Sequence, residues 1–144
     1  MKEIHTEIEI HAPADHVWQI LTDFRTFAEW NPFIQRIKGE MKKGERIEVF
    51  LKPPGKKGMK FRPKVLNVEP GKEFRWFGHL GFPGIFDGDH IFSIEPLGDE
   101  SVRFVQKEKF TGIFASLILR SIESATRQGF SEMNEALKVR SEKK

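Results

Sequence analysis

His90, Gln106 and Glu108 are the residues of this 144-residue chain best suited to chemistry. Strand alternation, argued below, sets them on inward faces beside Phe92, Ile94, Phe104 and Phe110. A carboxyl among aromatic rings must be paired, hydrogen-bonded or protonated, because burying its charge is costly. With a raised pKa Glu108 would serve as an acid or base beside His90, with Gln106 as a further polar contact. Two bland readings stand against this. Glu108 near a rim pairs with a lysine or arginine, and His90 is a hydrogen-bonded core histidine.

Other chemistries find less support. Asp87-Gly88-Asp89-His90 offers metal-ligand types, but on a strand both aspartates point to one side and His90 to the other. His5 and His11 fall on the outer face of the first strand, so no metal and no cofactor is expected. The chain has no cysteine, which excludes disulfides, thiolate ligands and sulfur nucleophiles. It has no tyrosine, so no mechanism that needs a phenol applies.

The elements that carry these residues read clearly. Ile4, Thr6, Ile8 and Ile10 alternate with His5, Glu7, Glu9 and His11 as a half-buried strand. Ala12-Pro13 stops it, and Asp15 caps a short helix with Val17, Trp18, Ile20 and Leu21 on its apolar face. A second short helix, Phe24 onwards, ends at Asn31-Pro32, because a residue before proline avoids the helical region. Six strands follow between Gly- and Pro-containing turns: 34–40, 45–52, 59–69, 73–79, 88–95 and 101–110. A long helix from Ile113 to Val139 closes the chain, with Ile118, Ile122, Ala125, Phe130, Met133 and Leu137 as its stripe. A frayed polar tail starts at Ser141. One helix cannot cover both faces of seven antiparallel strands, so the sheet must curl around it while the short helices plug one end.

The length suits one domain over residues 1–144. The 38% hydrophobic and 31% charged fractions are those of an ordinary soluble protein, and a net charge of +3 commits it to no polyanion. The start alternates too strictly for a signal peptide, and the most apolar run, Gly112–Leu119, is far shorter than the ~20 residues of a membrane span. A cytoplasmic protein without stable membrane insertion is the expectation. The basic loop Lys52–Lys60 is either a solvated hairpin tip or a contact for anionic headgroups or nucleic acid. It lacks the interleaved aromatics of single-strand binders, so no nucleic-acid partner is expected.

Ile10-x-Ala12-Pro13-x-x-x-Val17-Trp18-x-x-Leu21-x-Asp23 resembles the opening of the START-like, or SRPBCC, superfamily. Trp30-Asn31-Pro32-Phe33 resembles the segment after its first helix. Gly88-x-His90-x-Phe92-x-Ile94-Glu95-Pro96 and Glu108-x-Phe110-x-Gly112 resemble its last two strands, as found in the polyketide cyclase/dehydrase and lipid transport branch. The resemblance spans nearly the whole chain. It implies an α+β helix-grip fold, with a curved seven-stranded antiparallel sheet around the C-terminal helix and a deep apolar cavity between them. Members bind lipids, sterols, polyketides and other hydrophobic molecules, and some are enzymes.

On that basis the candidate ligand contacts are Trp30 and Phe33 from the sealing segment and Phe61, Trp76 and His90 from inner strands. Phe92, Phe104, Gln106 and Glu108 complete the sheet side, and Ile122, Phe130 and Met133 the helix side. Phe82, in Phe82-Pro83-Gly84-Ile85-Phe86, belongs to a turn that either folds over the mouth as a flap or packs on the helix. Ala125 and Gly129, one turn apart, either leave room beside the sheet or let it pack closely. Three functions compete: a binder of a small hydrophobic molecule, a polyketide cyclase or dehydratase using His90 and Glu108 in the same cavity, and a protein-interaction module with a filled core.

Overall fold

The computed structural model describes residues 2–143. Strand β1, Lys2–Ile10, buries Ile4 and Ile10 and pairs antiparallel with the last strand. Helix α1, Ala14–Thr22, follows and buries Val17 and Leu21. Its N-cap is Pro13 rather than the expected Asp15, which sits in the first turn and favours the helix through its charge. A 3-10 turn at Phe24–Thr26 leads into α2, Phe27–Trp30. Asn31 leaves the helix at φ −91° and ψ 111°, the extended conformation that Pro32 demands. Its Oδ1 accepts hydrogen bonds from the backbone N–H of Phe33 (3.0 Å) and Ile34 (2.9 Å), which aims the chain into the next strand.

Seven further strands complete the sheets: β2 (Ile34–Lys38), β3 (Glu48–Leu51), β4 (Met59–Phe61), β5 (Lys64–Glu69), β6 (Glu73–His79), β7 (Asp87–Gly98) and β8 (Ser101–Thr111). Among the described residues there are therefore eight strands, not the expected seven. The predicted strand 59–69 is broken because Pro63 has no N–H to donate to a ladder. The strands form a five-stranded sheet, β1-β8-β7-β6-β5, and a three-stranded one, β2-β3-β4. The predicted strand 45–52 divides its bonding between them. Val65 and Pro63 bond the backbone at 44–47, whereas Glu48–Leu51 pairs with β2 and β4. This corner curls the sheets around helix α3, Ala115–Glu142. The helix continues through the expected tail, and Ser141 is buried; Lys144 lies outside the described residues.

The two halves of α3 meet different surroundings. Beyond Gly129 the helix packs tightly, burying Phe130, Met133, Leu137 and Ser141 under β1 and α1. Nearer its start, Ile118, Ile122 and Ala125 are only half buried, although Leu119, outside the predicted stripe, is buried. Aromatic rings fill the first end: Phe74 stacks on Phe92 at 4.5 Å, and Trp18 meets Phe74 edge-on at 5.9 Å. The short helices thus plug the packed end.

Gly129 supports close packing, since a Cβ there would meet the Phe33 ring at 2.5 Å. Helix propensity alone favours Gly129→Ala by about 1 kcal/mol. The clash reverses the sign, and urea denaturation should show a net loss of about 1–2 kcal/mol.

Candidate functional site

Between the two sheets, beneath the first turns of α3, lies a cavity of about 320 Å³. The small sheet contributes Val49, Leu51, Met59 and Phe61; β6 contributes Trp76 and Gly78. The strand faces of β7 and β8 add His90, Glu108 and Phe110, and α3 closes the top with Ile122 and Thr126. Phe33 and Phe86 complete the wall, and exposed Lys56, Lys57 and Met59 mark where it meets solvent. The lining is mostly aromatic and aliphatic, with a few polar groups converging, the usual make-up of a small-molecule site.

Glu108 and His90 face each other across the β7–β8 register, with Glu108 Oε1 3.6 Å from His90 Nδ1. Gly88 leaves room for the Glu108 carboxyl, which a Cβ at this position would displace. The pair is not an ion pair. Burial pushes Glu108 up to about 8, with the charge of Asp89 adding to the effect. Burial likewise pushes His90 down to about 3, against a smaller opposing contribution from its hydrogen bond with Gln106. At neutral pH both groups are uncharged.

A buried chain of hydrogen bonds decides which imidazole nitrogen carries the proton. The Thr6 hydroxyl donates to the Gln106 backbone carbonyl (2.9 Å), so Thr6 Oγ1 can only accept from Asn134 Nδ2 (2.9 Å). Asn134 Oδ1 then accepts from Gln106 Nε2 (2.8 Å), leaving Gln106 Oε1 facing His90 Nε2 at 2.9 Å. His90 therefore carries its proton on Nε2 and presents a bare lone pair at Nδ1 to Glu108. The stack of His90 on Phe92 at 4.2 Å, together with Phe130 at 4.9 Å, holds the ring in place. The cavity wall thus holds a proton donor and a proton acceptor side by side.

The structure sorts the sequence candidates into three groups. Phe33, Phe61, Trp76, His90, Glu108 and Ile122 line the cavity together. Phe92, Phe104, Phe130 and Met133 are packed in the core behind it, and Gln106 holds His90 from behind. Trp30 and Phe82 lie outside. Trp30 is half buried against Phe27 (5.1 Å) and borders a shallow outer groove with Pro32 and Arg36, so it braces α2 rather than sealing the cavity. Phe82 is 76% exposed. Its turn is pinned to the start of α3 by Ile113 N–H to Gly84 O (2.9 Å) and Phe114 N–H to Ile85 O (3.0 Å), while Phe86 turns inward.

Val49, Leu51, Phe86 and Thr126 line the cavity without having been among the sequence candidates. Alternation marks Val49 and Leu51, and four-residue spacing from Ile122 marks Thr126. Asn134 was equally readable as a polar residue inside the stripe, four after Phe130 and three before Leu137. Asp87 and Asp89 point away from His90, as expected, to His79 (2.8 Å) and to Arg75 (2.8 and 2.9 Å). Among the described residues no three His, Cys, Asp or Glu side chains gather as a metal site, and no helix is long and apolar enough to cross a membrane.

This architecture has known counterparts. Residues 1–142 match the family described as polyketide cyclase / dehydrase and lipid transport, and the chain belongs to that family. Its fold is similar to that of the Zhui aromatase/cyclase from Streptomyces, with TM-score 0.79 at 15% identity over 98% of this chain and 93% of that one. It is also similar to norcoclaurine synthase from Thalictrum flavum, solved with dopamine and hydroxybenzaldehyde (TM-score 0.72, 17% identity, 99% of this chain and 88% of that one). A hypothetical protein from Helicobacter pylori aligns with TM-score 0.77 at 18% identity over 97% of this chain and 88% of that one. No curated protein matches the sequence.

The two titrations predict a pH dependence of stability. Glu108 binds its proton more tightly folded (about 8) than unfolded (4.5), so its contribution is present at low pH and lost as pH rises through 8. His90 does the reverse, folded about 3 against 6.5, so its neutral burial costs stability as pH falls below 6.5. The two offset one another between 4.5 and 6.5. From there to pH 8 a net loss of about 2 kcal/mol remains. Urea unfolding across this range should show that loss, and Glu108→Gln should abolish it.

Proposed function

We propose that the protein binds a small hydrophobic molecule carrying at least one hydrogen-bonding oxygen, held in the cavity with its apolar body among Phe33, Leu51, Phe61, Trp76 and Phe86. The observation that carries this reading is an apolar space of about 320 Å³ with an uncharged acid–imidazole pair on its wall. Ligand pockets run from about 300 to 1,000 Å³, so the volume suits a compact ligand rather than a long-chain lipid folded on itself. Neutral Glu108 donates to a carbonyl or hydroxyl oxygen of the ligand, which suits a neutral polar group at this place. The aromatic ligands bound in the norcoclaurine synthase structure lend support as a size class.

One observation favours a second reading, acid–base catalysis in the same cavity. The Glu108 O–H and the His90 Nδ1 lone pair lie 3.6 Å apart, close enough to serve two adjacent atoms of one ligand. Glu108 delivers a proton to a ketone oxygen while His90 Nδ1 takes one from the neighbouring carbon, which forms the enol with no net proton change. The resulting imidazolium then returns its proton to the Glu108 carboxylate. Such a step is the entry to cyclisation or dehydration of a polyketide-like chain, the chemistry named in the family description. The open cavity argues against the filled core that an interaction module requires.

Mass spectrometry of freshly purified protein, native and then denatured, with analysis of the organic extract, tests the binding reading. A hydrophobic molecule released on denaturation is the expected result. Protein that is empty and also fails to bind fatty acids, sterols and flavonoids contradicts it. Phe61→Arg, which places a charge on the wall of the mouth, should lower affinity at least tenfold with little change in the urea midpoint. If catalysis occurs, Glu108→Gln retains ligand but stops deuterium exchange beside the ketone.

A further inference from the structure

Three chain segments frame the mouth of the cavity, and their exposed side chains share a pattern. Residues 49–63 supply Lys56, Lys57 and Met59 at the mouth, with Lys52 exposed nearby. Residues 80–86 line it with Leu80 and Phe86 and leave Phe82 exposed at the tip. Residues 110–122 begin α3, expose Ile113 (79%), Phe114 (47%) and Leu117 (63%), and line the cavity with Ile122. The backbone bonds from Ile113 to Gly84 and from Phe114 to Ile85 join the last two segments into one raised edge. Of the seven large apolar side chains exposed among the described residues, five (Met59, Phe82, Ile113, Phe114 and Leu117) are thereby collected beside the mouth.

The charge within these three segments is of one sign, although Lys60 meets Glu48, just outside them on β3, at 3.8 Å. None of the three segments contains an acidic residue, whereas Lys52, Lys56, Lys57 and Arg120 are exposed on them. Elsewhere exposed cations are mixed with carboxylates, as in Arg103–Glu95 and Arg140–Glu29. A surface that merely needs to stay in water gains nothing from clustered phenylalanine, isoleucine and leucine. Apolar side chains at a tip with flanking cations instead fit the boundary of an anionic bilayer, where the first reach the acyl region and the second meet phosphate.

We propose that this rim is a reversible docking surface for anionic membranes. Phe82, Ile113, Phe114 and Leu117 insert at the headgroup boundary, and the lysine loop settles on the phosphates opposite. In this pose the cavity opens toward the bilayer, so a hydrophobic molecule passes between membrane and cavity without crossing water. The contact is peripheral, because no helix of the described residues is long and apolar enough to span. It stands independently of which ligand the cavity holds.

Sedimentation with vesicles tests it. Vesicles of phosphatidylcholine with about one-third phosphatidylserine should pull down the protein at low salt, at least about tenfold better than phosphatidylcholine alone. Salt of about 0.5 M should release it, since screening removes the lysine contribution. Phe82→Ser with Leu117→Ser, both exposed and neither on the cavity wall, should weaken binding at least about tenfold and leave the urea midpoint unchanged. Phe82→Trp should gain a blue-shifted emission on adding the same vesicles. Protein that stays in the supernatant with anionic vesicles at low salt overturns the proposal. So does binding that the double substitution leaves intact, or a concentration-dependent dimer that it abolishes, which would make the rim a self-association face. Extraction of ligand from the same preparations reads cavity binding separately, so a ligand-loaded protein that ignores vesicles refutes the docking surface alone.

Discussion

The side chain of Gln106 ties together parts of the chain that are far apart in sequence. Wholly buried on β8, it donates to Asn134 on the long helix and accepts from His90 on β7, while Thr6 on the edge strand bonds both Asn134 and the Gln106 backbone. Each member satisfies another, so a polar chain crosses the interior with no unpaired atom among these contacts. Two backbone constraints orient it: the Gln106 carbonyl, which can only accept, and the Phe130 carbonyl, which lies 3.5 Å from the Gln106 amide nitrogen. That orientation reaches the cavity as a fixed imidazole tautomer, and the chemistry available to Glu108 follows from it.

Around this chain the molecule separates into a packed end and an open end. Aromatic rings from four elements interlock over the second half of α3, and Gly129 lets Phe33 press against the helix. Near the helix start the same sheet curvature holds the small sheet away from β6–β8, and the space between is left unfilled. An apolar void of this size forfeits dispersion contacts along its wall, so it persists only where a rigid frame prevents collapse. The open end also carries the uncharged pair and the lysine-rich loop, which is where ligand entry places its demands.

Much of this architecture was legible in the residues. The alternation of Ile4–Ile10, the inward face of Val102 to Phe110 and the 3.6-residue stripe from Phe130 to Leu137 follow from side-chain periodicity alone, and the sheets and helix form where they imply. Periodicity names a face, however, not what lies across from it. Phe92, Phe104 and Met133 share inward faces with cavity residues, yet pack against other side chains. The break at Pro63 was written in the sequence as a missing donor but was obscured by the apolar positions on either side. Trp30 and Phe33 lie three residues apart, and only the turn fixed by Asn31 decides that one faces the outer groove and the other the cavity. The hydrogen-bonded chain joins positions 6, 90, 106 and 134, a combination that no local pattern contains.

The central claim is that the interior holds a neutral acid beside a neutral imidazole protonated on Nε2. Nitrogen-15 NMR of the histidine rings reads this directly. The account predicts a His90 ring with a protonated Nε2 and an unprotonated Nδ1, unchanged from neutral pH down to about pH 4, consistent with a group pushed down to about 3. A His90 signal typical of imidazolium at pH 7 would contradict it, because Glu108 would then be a carboxylate in an ion pair, and so would the opposite neutral tautomer, which would put a proton on Nδ1 where the account has a lone pair.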